Sequence, residues 1–179
     1  MLFLLDTEGL ALSVDLSAVS YYFAYGSNMN PARVRARKME FEECHAGKLR
    51  DFRLTFNKRS VKYPGAAAAN VMPHKGAATE GVLYKLQDPG QISMMDPYEG
   101  YPVRYDRQAL SVVYEGQGIQ AWVYIANDRF VAEGLKPARW YLGHLLAGEE
   151  YLSSPYFKEL EAVACLPDSS VEPLPTGKN

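Results

Sequence analysis

Tyr21-Tyr22-Phe23-Ala24-Tyr25-Gly26-Ser27-Asn28-Met29-Asn30-Pro31 reads as a short apolar strand running into a tight Gly-Ser-Asn turn. A helix follows at once, from Asn30 through Lys38. Asn30 or Ser27 serves as its cap, and Pro31 suits its first position. Such a strand-to-helix junction leaves several backbone N–H groups without partners and aims them at one spot. That spot suits an anion: a carboxylate, a phosphate or a developing oxyanion. Further along, Tyr98-Glu99-Gly100-Tyr101-Pro102 sets one carboxylate among aromatic rings. An anion cradle and a carboxylate in that setting together suggest a small-molecule active site.

Working outward, the next segments read as strands. Cys44 to Leu49 and Phe52 to Phe56 are two of them, joined around Arg50-Asp51. Phe52, Leu54 and Phe56 share one face, the period of a half-buried strand. Residues 57–80 read as irregular, with a turn at Tyr63-Pro64-Gly65 and a small-residue strand over Ala66 to Pro73. Glu80 to Leu86 is a strand. Asp88 caps a short helix to Asp96, with Ile92 and Met95 on its apolar side. Tyr105 to Tyr114 and Gln120 to Ile125 alternate as strands around a Glu115-Gly116-Gln117-Gly118 hairpin turn. The remainder is helical, over Ala138 to Ala147 and Pro155 to Ala164. This inventory predicts an α+β fold, a small mixed, mostly antiparallel β-barrel flanked by a few helices. Residues 1–20 form an N-terminal extension, in which Leu10 to Leu16 is a strand or a loose arm. Residues 21–166 form the domain, and 167–179 a flexible tail.

The chain has 179 residues, enough for one domain with a sizeable core. Its hydrophobic content of 47% and charged content of 22% are those of a soluble globular protein. A formal charge of −2 gives no drive toward nucleic acid or anionic membrane. The basic run Arg33 to Lys38 reads as a solvated helix face. Met1 to Leu5 is apolar but lacks a basic flank and a long apolar core, so no signal peptide is expected. No run is long enough to cross a membrane. Cys44 and Cys165 have neither metal-ligand nor redox-motif spacing, which suits a reducing cytoplasm. The sequence offers no argument for a homodimer and none against one.

Tyr25-Gly26-Ser27-Asn28-Met29, Glu99 within Tyr98-Glu99-Gly100, and the order of elements resemble the gamma-glutamylcyclotransferase family, over roughly Tyr22 to Val163. The resemblance implies a small barrel and release of 5-oxoproline from gamma-glutamyl amines, without metal or cofactor. Pro137-Ala138-Arg139-Trp140-Tyr141-Leu142 is similar to the family's late helix start, which makes Tyr141 a candidate substrate contact. The family's glutathione-acting branch carries Tyr-Gly-Ser-Leu in the loop, and its isopeptide-acting branch Tyr-Gly-Thr-Leu. Asn28 and Met29 put this chain nearer the gamma-glutamyl amino acid branch. The extension before Tyr21 and the Arg59–Glu80 segment depart from the pattern. The latter is a place where the leaving-group side could be reshaped.

The residue types suit that chemistry. The substrate's own α-amine attacks its own γ-carbonyl, and at neutral pH that amine is mostly protonated. One glutamate can take the proton and hand one to the departing nitrogen if it is tuned to the working pH, and burial is a common means of tuning. Glu99 is therefore the expected general acid/base, with Gly100 giving the backbone freedom to aim it. Backbone donors over Gly26 to Met29 are expected to hold either the oxyanion or the α-carboxylate. Each signal alone is ordinary: a Gly-Ser-Asn turn punctuates many strands, and Tyr141 can equally pack in the core. Ser27 as a hydrolase nucleophile lacks a Gly-x-Ser-x-Gly setting and a marked histidine partner. The alternatives are a non-catalytic carboxylate-binding module, or a cyclotransferase acting on a gamma-glutamyl antibiotic, polyamine or protein lysine. In an enzyme Glu99 must face a cavity beside the loop. In a binding module it could turn outward or pair with an arginine such as Arg104.

Overall fold

The computed structural model describes residues 3–5, 11–13 and 16–171. Two short strands, β1 (Phe3–Leu5) and β2 (Ala11–Ser13), pair antiparallel ahead of the main body. The barrel begins with β3 (Tyr21–Ala24), and α1 (Pro31–Ala36) follows it. Then come β4 (Phe41–Arg59) and β5 (Ala66–Leu86), the four-residue helix α2 (Asp96–Glu99), β6 (Tyr105–Tyr114) and β7 (Gln117–Ala126). The chain ends with β8 (Lys136–Pro137), α3 (Arg139–Leu146) and α4 (Ser154–Glu161). The strands run β3-β7-β6-β4-β5, and β5 returns to β3, which closes a five-stranded barrel. Within it only the β3–β7 contact, Tyr22 against Trp122, is parallel.

Alternation along β3 divides the core in two. Phe23 and Tyr25 join Leu49, Leu83, Val112 and Val123 in the barrel interior. Tyr22 and Ala24 face the other way, toward Met29, Val34, Met95, Leu142, Leu145 and Leu160 under the helices. Period two in the strand thus assigns successive residues to interior and outer shell. Interior space is tight at the Gly47–Gly81 pair between β4 and β5. A Cβ on Gly81 would stand 2.3 Å from the Ala24 carbonyl oxygen and 3.0 Å from the Phe23 ring.

The structure redraws the stretch read as irregular. Residues 57–59 and 74–80 join the expected strand over Ala66 to Pro73 in the long hairpin of β4 and β5, with Pro64-Gly65 at its tip. The supposed join at Arg50-Asp51 is a bulge inside β4, where Asp51 takes a φ of 60°. Its carboxylate accepts the Gly76 N–H at 2.8 Å, so a side chain from one strand pins the bend of the other. Pro73, which has no N–H, falls opposite Phe52 next to this irregularity. The alanine run pairs along β4, and pairing overrides its helical preference. The β6–β7 turn is tighter than read, with Glu115 and Gly116 at φ 48° and 80° as its two central residues.

Helix ends follow local chemistry. Asn30 caps α1, its Oδ1 accepting from Ala32 and Arg33. Asp88 caps a 3-10 turn over Pro89–Met94 that buries Ile92. The stretch assigned to a flexible tail starts inside packed structure. Asp168 Oδ1 accepts the otherwise orphaned Trp140 N–H at the start of α3, at 2.8 Å. Val171 packs with Ala66 and Ala138. Residues 172–179 lie outside the described residues.

Candidate active site

The end of β3 feeds a 3-10 turn over Ser27–Met29, and everything in the site is built around its middle residue. The Asn28 side chain is buried. Its Nδ2 donates to the Tyr22 hydroxyl at 2.8 Å and to Glu99 Oε1 at 3.0 Å. Its Oδ1 accepts from Arg37 Nη1 at 2.8 Å, and its carbonyl accepts from the Tyr84 hydroxyl at 2.6 Å. Arg37 Nη1 also reaches Glu99 Oε1 at 3.2 Å. Both donors therefore hold the same oxygen of Glu99. Among the described residues no group donates to Oε2.

Glu99 is the last residue of α2, and that short helix is fastened at both ends. Asp96 opens it and accepts from Arg107 Nη1 at 3.0 and 3.1 Å and from the Tyr124 hydroxyl at 2.6 Å. Gly100 closes it in the left-handed region at φ 71°, its N–H donating to the Asp96 carbonyl at 2.8 Å. The left-handed turn needs a glycine, and a Cβ there would also run into the Arg104 side chain. The rings around Glu99 come from distant tyrosines that line its cavity and not from its sequence neighbours Tyr98 and Tyr101. Tyr98 and Tyr101 are 49% and 37% exposed, with their rings against Arg37 and Arg107. Arg37 also flanks the carboxylate.

Tyr25, Gly26, Ser27, Asn28, Glu99 and Tyr141 line one small cavity, with Tyr22, Ala69, Tyr105 and Tyr124 among its other walls. Met29 does not line it. Its side chain is fully buried, and its N–H donates to the Gly26 carbonyl at 2.9 Å. The loop is thus less bare than a free cradle. The Tyr141 hydroxyl faces the Ser27 backbone, and it accepts the Ala69 N–H at 2.9 Å. Tyr105 donates to the Ala69 carbonyl at 2.7 Å, and Tyr25 donates to the Tyr124 carbonyl. Burial first, and then the Glu99 charge, pushes the hydroxyls of Tyr22 and Tyr25 well above the ordinary tyrosine range, and burial followed by the neighbouring Tyr141 and Tyr25 does the same to Tyr105. Burial likewise raises Tyr141. These hydroxyls remain neutral at working pH. Tyr141→Phe removes the acceptor from the buried Ala69 N–H, so a loss of about 1–3 kcal/mol in stability is expected, measurable by urea unfolding.

A wider cleft adjoins this cavity and shares Ser27, Glu99, Tyr105 and Tyr141 with it. Arg33, Arg37, Lys58, Lys62 and Arg104 bring positive charge to its walls, and Tyr63, Tyr98 and Trp140 bring rings. Arg37 and Lys58 were not singled out by sequence reasoning. The signal for Arg37 was its spacing from Arg33, about one helical turn further on, which sets it at the C-terminal end of α1. Arg35 lies between them and stacks on Phe41 outside the cleft. His144 contacts Asn30 and Arg33, and His45 contacts Glu43, so neither is partnered with Ser27. Among the described residues no group of three or more His, Cys, Asp or Glu could hold a metal ion. No helix among them is long and apolar enough to cross a membrane.

The sequence model of the family described as "Gamma-glutamyl cyclotransferase, AIG2-like" matches residues 22–142, which takes in β3 through the start of α3. A mouse gamma-glutamylcyclotransferase is 32% identical over 83 residues, 44% of this chain and 43% of its own length. The match thus spans less than half of that curated relative. A human protein solved as uncharacterised superposes with a TM-score of 0.70 at 24% identity, covering 88% of this chain and 91% of its own. A solved gamma-glutamyl cyclotransferase gives 0.69 at 23% identity, with the same coverage. At these identities the structural likeness speaks for the fold.

Proposed function

Because the chain belongs to the gamma-glutamyl cyclotransferase, AIG2-like family, we propose that it cyclises a gamma-glutamyl group to 5-oxoproline and releases the attached amine. One observation carries the reading: Glu99 faces a cavity bounded by Gly26, Ser27 and Asn28, with its Oε1 held from Asn28 and Arg37. Glu99 Oε2 takes a proton from the substrate's α-ammonium. The freed amine attacks the γ-carbonyl carbon, forming the ring C–N bond and a tetrahedral oxyanion. Glu99 returns the proton to the departing nitrogen, and the old C–N bond breaks as the oxyanion collapses to the ring carbonyl. The ring nitrogen, left cationic by the attack, gives up its second proton, which the released amine takes away as an ammonium, so the carboxylate is restored. Glu99 thus acts as base and then acid within one turnover.

Tyr25, Gly26, Ser27 and Asn28 form the part of the loop that receives the substrate's anionic groups in this reading, Met29 anchors it in the core, and Tyr141 fixes it against β5. Asn28 and Arg37 are positioning residues for Glu99. Holding the flexible glutamyl chain in a ring-like shape supplies an orientation advantage of its own. No step requires a metal or cofactor. The two cysteines, both free thiols, support a reducing cytoplasm as the setting.

The Arg37 pairing favours the competing reading, a non-catalytic carboxylate-binding module, since an arginine already holds Glu99. The two readings separate on 5-oxoproline release from gamma-glutamyl dipeptides, glutathione, an ε-lysine isopeptide and gamma-glutamyl polyamines. Release from any of them is the expected result. Binding of these compounds without release would overturn the enzymatic reading.

A further inference from the structure

The wide cleft contains a charge that the reaction above does not use. Lys58 lies on β4 opposite Ala68 of β5, and is only 5% exposed. Its Nζ stands 5.3 Å from the Tyr105 ring centroid and 6.0 Å from that of Phe130. It forms no ion pair and no hydrogen bond among the described residues. A buried cation without an acidic partner is costly, and proteins seldom keep one unless a ligand completes it. Burial, with Arg104 adding repulsion, lowers its pKa to about 8. Glu99 pulls the other way, but that carboxylate is already engaged by Arg37. The walls of the cleft carry five cationic residues and one carboxylate, in a chain whose formal charge is −2. The positive cleft is therefore a local construction.

Lys58 lines the outer cleft but not the inner cavity beside Gly26, Ser27 and Asn28. With the glutamyl half in the inner cavity, the departing half lies along the outer cleft. Resting on the proposed cyclisation, we infer that Lys58 is a specificity-determining residue that binds a carboxylate on the departing amine. The substrates are then gamma-glutamyl amino acids or peptides with a free carboxylate near the scissile bond. Polyamines and lysine side chains within a protein lack that group and meet a cationic wall.

The test compares gamma-glutamyl-alanine with gamma-glutamyl-ethylamide, which differs from it by the missing carboxylate. The wild type is expected to show a KM at least about tenfold lower for the alanine compound, the scale of one charged hydrogen bond. Lys58→Met raises that KM by about tenfold, leaves kcat and the ethylamide values within about twofold, and so erases the preference. Lys58→Arg restores part of it. In the wild type the preference also fades as pH rises through about 8, where Lys58 loses its proton. Of the groups facing Lys58, the Tyr105 hydroxyl stays neutral, and Arg104 and Glu99 act alike on both substrates. Lys58→Met should also raise Tm by a few degrees, because it removes an unpaired buried charge. A lysine with a purely structural role would lower it.

An equal loss on both substrates, or no loss on either, overturns the assignment. Calorimetry of the two compounds on Glu99→Gln, with and without Lys58→Met, asks the same question without turnover. Discrimination there without any 5-oxoproline release by the wild type keeps Lys58 and overturns the cyclisation. Equal affinities overturn Lys58 whatever the assay shows.

Discussion

Glu99→Gln is expected to lower kcat for 5-oxoproline release by about 10²–10⁴-fold, the range for loss of a general acid/base. The substitution keeps the side-chain length and an oxygen that Asn28 and Arg37 can still meet. It removes the one group in the cavity able to take a proton from an ammonium and then give it back. The neighbouring tyrosines cannot replace it, since burial keeps their hydroxyls protonated. Stability should change little, by about 1–2 kcal/mol, for the weakened charged hydrogen bonds to Arg37 and Asn28. The measurement is single-substrate kinetics alongside thermal unfolding. Near-normal kcat in a folded Glu99→Gln protein would refute the mechanism. A collapsed Tm would instead show that Glu99 is chiefly a structural anchor for α1 and α2.

Gly81→Ala should have the largest effect on the fold. The added methyl would sit 2.3 Å from the Ala24 carbonyl oxygen, a backbone atom that cannot swing aside. Phe23, fully buried on the same strand, blocks the other direction. Relief requires β3 and β5 to part at the Ala24–Val82 pair. A destabilisation of about 3 kcal/mol or more is expected from such overpacking. That corresponds to a fall in Tm of roughly 6–12 °C in a domain of this size. Because Ala24 immediately precedes the Tyr25–Met29 loop, folded Gly81→Ala protein should also show an increased KM. Urea unfolding together with initial rates reads both. An unchanged Tm would mean that the two strands can separate at little cost.

The barrel was legible because its strands alternate and its turns carry Gly, Pro and Asp, which are local signals. The long hairpin of β4 and β5 was not. Its middle is held by Asp51 reaching Gly76 across the sheet, and no window of neighbouring residues reveals such a contact. Around the site, the loop and Glu99 stood out by residue type, and six of the seven residues chosen line one cavity. Arg37 and Lys58 could not stand out. A basic residue on a short helix and another at a strand end look solvated until the fold covers them. The burial of Lys58 depends on Tyr105 and Phe130, 47 and 72 residues further on. Side-chain burial of that kind is a property of tertiary packing.

The parallel contact between Tyr22 and Trp122 has a consequence for how the molecule is made. It joins positions 100 residues apart, and together with the β3–β5 ladder it makes the ring of strands. Local hairpins such as β6–β7 can form early at small entropic cost, whereas a contact across so much chain is rewarded only after a long loop has been closed. The strand that makes this contact is the one that leads directly into Gly26, Ser27 and Asn28. Barrel closure therefore also fixes the strand that sets this loop beside Glu99. A chain arrested before it would have its β4–β5 and β6–β7 hairpins, an open sheet edge and an unplaced loop.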